Sequence, residues 1–198
     1  MPRLFSTFPD EPSSAECQNA YIILCDEEQD LLRAIMLLFA ASELGSMAKQ
    51  LVRDALPKVL VTNVGARAML KGFLTRRLKK GDETDYDLMA EIIVDDEPRD
   101  RVIQELVVDL TSSSLQSGEQ LLHAASFFDV PSSRISEDPR ELKRILGVRN
   151  QTAHEMDIDF GQPNRNRRPR ARGQIIDNTD ELFRVANNFL NEVAAKCE

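Results

Sequence analysis

Between Ala15 and Leu56 the chain holds no proline and a single glycine, Gly45. This stretch constrains the fold more than any other feature. Proline removes a backbone donor and glycine costs about 1 kcal/mol in a helix interior, so a long run almost free of both favours one continuous helix. Leu31, Leu32, Ile35, Leu38, Phe39 and Leu51 recur at helical spacing, with acids early and Lys and Arg late, as the helix macrodipole favours. The pattern predicts one long core helix, either continuous or jointed near Asp26.

The remaining punctuation is also helical. A second helix is expected after Pro57, running to the basic stretch Arg76–Lys80 before Gly81. Residues 81–100 are acidic and partly loop, with a short apolar segment from Leu88 to Val94. Pro98 opens a helix through Leu110, and a Ser-rich link from Thr111 to Ser117 leads into another over Gly118–Phe128. Asp138-Pro139-Arg140-Glu141 is a strong helix start, with an N-cap acid, proline at the first helical position and glutamate at the third. That helix is expected to reach about Met156. After a polar loop, Asn178 with Glu181 is expected to cap a final helix carrying Leu182, Val185, Phe189 and Val193. No alternating run is long enough for a sheet. The expected fold is an all-α bundle of long antiparallel helices, with a flexible arm over 1–14 and one domain over 15–198 that includes a basic loop at 161–173.

Composition narrows the setting. With 198 residues, 42% hydrophobic and 29% charged, the chain belongs with soluble globular proteins and can bury a full core. Its net charge of −8 argues against coating a membrane or gripping duplex DNA through bulk electrostatics, and leaves only a local basic patch for such a role. Cys17, Cys25 and Cys197 show no ligand spacing, the N-terminus does not read as a leader, and the longest apolar run, Ala34–Ala41, is too short to span a bilayer. A cytoplasmic protein with free thiols and no membrane partner is expected.

The chemistry concentrates in Arg149-Asn150-Gln151-Thr152-Ala153-His154. On a helix over 139–156, Leu142, Ile145, Leu146, Ala153 and Met156 form an apolar stripe. Arg149 falls on that stripe, four residues after Ile145; Asn150 lies four after Leu146 and His154 four after Asn150. A buried guanidinium without a partner costs several kcal/mol, so Arg149 requires either an acid such as Glu43 or a cleft that receives an anion. Arg149 and His154 are separated by roughly 140° around the helix and about 7.5 Å along it. One chain therefore does not aim both at one atom, whereas two copies about a two-fold axis bring both pairs into a shared cleft.

The motif and the helical order around it resemble the Arg-x4-His segment of the HEPN superfamily (higher eukaryotes and prokaryotes nucleotide-binding domains), in which Asn often follows the Arg, as Asn150 does here. The chain is most similar to the stand-alone ribonuclease-like branch called RiboL-PSP-HEPN, over roughly residues 15–196. The resemblance implies a metal-independent endoribonuclease without cofactor, acting as a homodimer in toxin–antitoxin or anti-phage defence, with an antitoxin or defence protein as a possible partner. It assigns His154 to proton transfer, Arg149 to the scissile phosphate and Asn150 to orientation. It makes Glu43, on an apolar face between Phe39 and Met47, the candidate partner of Arg149 or His154, the alternative being a partly exposed glutamate with no such role. The alternative is a non-catalytic module of the same fold that dimerises or binds a partner. Met156 stands where toxins of this superfamily that pair with a minimal nucleotidyltransferase carry a Tyr, which puts that mode of regulation in doubt.

Outside the motif, Arg165, Arg167, Arg168, Arg170 and Arg172 crowd one loop without interleaved aromatics. They read as phosphate contacts for RNA or as a solvated loop. Asp157 and Asp159, with Asp95, Asp96 and Glu97, lack a glycine loop or His partners, so no metal site is expected. His123, within an apolar helix, reads as structural.

Overall fold

The long helix forms without a joint: α1 runs over Ser14–Asp54, 41 residues. In the computed structural model the backbone is described for residues 14–80, 83–155, 158, 160–161, 163–165, 168 and 171–197, and side chains for the same residues except 14–30, 80, 83–84 and 172. The expected arm thus lies outside the described residues apart from Ser14. The face that α1 buries is not the one its largest side chains mark. Leu31, Leu32 and Phe39 stay about 60% exposed, whereas Leu37, Ala40, Ala41, Leu44, Ala48 and Val52 are buried. Small side chains let a neighbouring backbone come closer than phenylalanines do, and α1 packs on several helices, most extensively on α9 (Arg172–Cys197). The stretch Leu31–Asp54 is also long and apolar enough to cross a bilayer by length and composition, with a mean hydropathy of 1.5 in its most apolar window. Counting only the uninterrupted run Ala34–Ala41 missed this, because isolated polar residues barely lower a window average.

The single helix expected after Pro57 is two. α2 spans Leu56–Thr62 and α3 spans Val64–Arg77. They break at Asn63, whose extended backbone lets its side-chain oxygen accept from the Ala66 amide at 2.8 Å, an N-cap inside what periodicity alone reads as continuous. Arg99 then donates from Nη2 to the Leu60 carbonyl at 2.9 Å, satisfying an acceptor at the end of α2. The basic end of that stretch also departs from helix: Lys79–Lys80 (β1) pairs antiparallel with Glu83–Thr84 (β2), Lys79 opposite Thr84. This two-residue ladder leaves the molecule all-α.

α4 (Tyr86–Val94) is capped by the Asp85 carboxylate, which accepts from the Leu88 amide at 3.1 Å. It is an apolar helix with no buried residue; Tyr86, Ile93 and Val94 are mostly exposed. Next come α5 (Pro98–Ser112), α6 (Gly118–Ser126), α7 (Ser132–Ile135) and α8 (Pro139–Glu155). Expectation and structure agree on the proline starts of α5 and α8 and on the core positions Leu182, Val185, Phe189 and Val193. They disagree on Asn178. α9 begins at Arg172, so Asn178 lies inside it, buried, with its oxygen accepting from Arg144 rather than from a helix-start amide. A tertiary donor has taken the oxygen that would otherwise cap the helix.

Candidate functional site

The start of α8 follows from its sequence. Asp138 accepts from the Arg140 amide at 2.9 Å through Oδ1, and Pro139 occupies the first helical position, where no amide hydrogen is needed. Leu142, Ile145, Leu146, Val148 and Arg149 are then buried. The stripe ends there. Ala153, expected on it, is exposed, while its neighbours Gln151 and Thr152 are half-buried; Met156 lies outside the described residues.

Arg149 is only 8% exposed. Its Nη1 donates to Gln116 Oε1 at 2.9 Å and to Asn150 Oδ1 at 3.0 Å. Its Nε–H is buried and has no hydrogen-bond partner among the described residues. Both acceptors are neutral amides. Glu43, the carboxylate expected to balance this charge, is exposed on α1 and is not one of the acceptors of Arg149. Among the described residues, the guanidinium is thus positioned without a carboxylate to neutralise it. His154 stands on the same helix but outside the core, exposed to solvent. Helical geometry keeps the two apart within one chain, as their spacing implies.

Gln116 is the residue that sequence reasoning missed. It lies in the link between α5 and α6, where no periodicity marks an inward-facing position. Five residues before Arg149, Arg144 offers the opposite arrangement. Its Nε and Nη2 donate to the two oxygens of Glu141 at 2.7 and 2.6 Å, and Nη2 also reaches Asn178 Oδ1 at 2.6 Å. The hydrogen bond from Arg144 holds the Glu141 carboxyl below its ordinary range, and the same bond raises the guanidinium. No family model, curated protein or solved structure matches the chain. What the site can do is therefore read from its own charges and geometry.

The basic loop reaches this helix. Arg168 pairs with Glu155 at 2.7 Å, tethering the loop to the residue after His154. Arg165 sits 5.9 Å over the ring of Phe160, an exposed aromatic just before the loop. The two described loop arginines therefore each have an intramolecular partner, one acidic and one aromatic. Arg167 and Arg170 lie outside the described residues, as does the side chain of Arg172, the first residue of α9. Asp157 and Asp159 lie outside them too. His123 is exposed and meets the Phe127 ring edge-on, with centroids 5.2 Å apart, so its place is at the surface of α6 rather than within the core.

Proposed function

We propose that the chain is a metal-independent endoribonuclease of HEPN type, acting in the cytoplasm as a homodimer, as a toxin or anti-phage effector. One observation carries this reading: a buried guanidinium, Arg149, held among the described residues only by neutral amides and keeping an Nε–H that none of them accepts, one helical turn and a half from an exposed imidazole. A structural arginine at such depth calls for a carboxylate, while one that must receive a phosphate is better left uncompensated.

The reaction balances without a cofactor. His154 of one protomer removes the proton from a ribose 2′-OH, and that oxygen attacks the adjacent phosphorus. The bond to the 5′-oxygen breaks, and the second His154, protonated beforehand, supplies the proton to the leaving oxygen. Arg149 stabilises charge on the non-bridging oxygens, and Asn150 fixes its direction. The products are a 2′,3′-cyclic phosphate and a 5′-hydroxyl, with no water consumed.

The test is cleavage of total RNA by the purified chain. His154→Ala is expected to lower the rate by about 10²- to 10⁴-fold, Arg149→Ala by about 10²- to 10³-fold, and a chelator by nothing. A wild-type dimer that leaves RNA intact would sink the catalytic reading. The second reading, a non-catalytic module of the same fold that binds a partner, draws on the exposed apolar surface of α4; it predicts dimerisation or partner capture with no effect of His154→Ala.

A further inference from the structure

The link that carries Gln116 is built with more constraint than a surface connection needs. Leu115 adopts a left-handed backbone, with φ 50°, a conformation that non-glycine residues rarely hold without compensation. Its side chain is buried at 3% exposure, so the strained residue is anchored in the core. On one side the link presses against α1: a Cβ at Gly45 would lie 3.2 Å from the Ser114 carbonyl oxygen and 3.5 Å from that of Leu115. On the other side, a Cβ at Gly118 would lie 3.3 Å from the Lys143 amide nitrogen of α8. The link is thus pressed against α1 and followed at once by an α6 start packed on α8, and between these two contacts stands Gln116, aimed at Arg149.

We propose that Gln116 is a positioning residue for phosphodiester binding: it fixes the Arg149 guanidinium through a neutral oxygen, so that the full positive charge stays available to the substrate anion. This rests on the ribonuclease reading for the substrate, but the charge argument stands by itself. A glutamate has the same length as the glutamine and a stronger acceptor, and would hold Arg149 more tightly. It would also cancel the charge. A structural role for Gln116 is therefore improved by Gln116→Glu, whereas an anion-presenting role is destroyed by it.

The experiment compares wild type, Gln116→Glu, Gln116→Met and Arg149→Met as full chains, measuring Tm with inorganic phosphate against chloride at matched ionic strength, and cleavage of RNA. Wild type is expected to gain Tm in phosphate, and Arg149→Met to lose that gain. Gln116→Glu is expected to melt at or above the wild-type temperature without phosphate, to lose the phosphate response, and to raise KM for RNA at least tenfold. Gln116→Met keeps the charge but loses the acceptor; it should retain a weakened phosphate response and a KM between those of wild type and Gln116→Glu. Should Gln116→Glu fail to fold, that intermediate behaviour of Gln116→Met decides the matter. A phosphate response and KM in Gln116→Glu within twofold of wild type overturn the proposal, as does a wild-type response that survives Arg149→Met. If the phosphate pattern holds but wild type does not cut RNA, the ribonuclease reading fails and the anion site remains. If wild type shows neither, both fail.

Discussion

Arg144 and Arg149 lie on successive stretches of α8, yet the bundle treats their charges in opposite ways. Around Arg144 the helix supplies a carboxylate from its own first turn and α9 supplies the buried oxygen of Asn178. Around Arg149 the described residues supply two amide oxygens and leave one buried N–H without a partner, and no acid is among them. Of the two, Arg149 is the more deeply buried, which makes its lack of an acid the more costly. Among the described residues, the fold thus places a counter-charge where an arginine joins two helices and none where the sequence motif falls.

The same apolar replacement at both arginines should affect activity very differently. Arg149→Met should lower RNA cleavage by about 10²-fold or more, while Arg144→Met leaves the rate per folded molecule within about twofold, the range expected of a residue with no hold on the transition state. Equal losses would show that the two ends of α8 are not functionally distinct.

Stability should change in the reverse order, by smaller amounts. Arg144→Met strips the donor from the buried Asn178 oxygen and should cost about 1–3 kcal/mol in urea denaturation. Arg149→Met strips the donor from the Gln116 and Asn150 oxygens, but both residues are half-buried and can turn to water. It also removes a buried charge with no acid among the described residues, and should stay within about 1 kcal/mol of wild type or exceed it. A larger loss from Arg149→Met than from Arg144→Met would reverse the assignment of roles.

The smallest effect is that of acid. Arg144 depresses the Glu141 carboxyl in the folded chain, so the stabilisation from this pair is fully present above the ordinary glutamate value and lost as pH falls through the lower folded value. Glu141 is 43% exposed, which limits the contribution to about a few tenths of a kcal/mol. The stability gap between wild type and Glu141→Gln should therefore narrow below about pH 4, and a gap that widens there would contradict the pairing.

Much of this was legible in the residues. The proline starts of α5 and α8 and the core stripe of α9 are local signals, and each is where the sequence puts it. Arg149 could be placed on a packed face because its register with Leu142, Ile145 and Leu146 is fixed by one helix. What escaped depends on distant partners. The seam of small residues on α1 is invisible to a search for large apolar side chains, and Asn178 looks like a cap until Arg144 is seen to take its oxygen. Glu43 was the plausible acid by charge, but its direction on α1 is set by the seam and not by attraction to Arg149. Gln116 had no signal, since its direction comes from the left-handed turn at Leu115.

The close approach at Gly45 has a consequence for genetics. A methyl group there would sit 3.2 Å from the Ser114 carbonyl oxygen, tight enough to press by a few tenths of an ångström on the segment that carries Gln116. In a screen for loss of function, Gly45→Ala should therefore fall in the same phenotypic class as changes in the Arg149 motif, although Gly45 lies on another helix far upstream in the chain. Inheritance of the phenotype would map the site to a residue that no substrate touches.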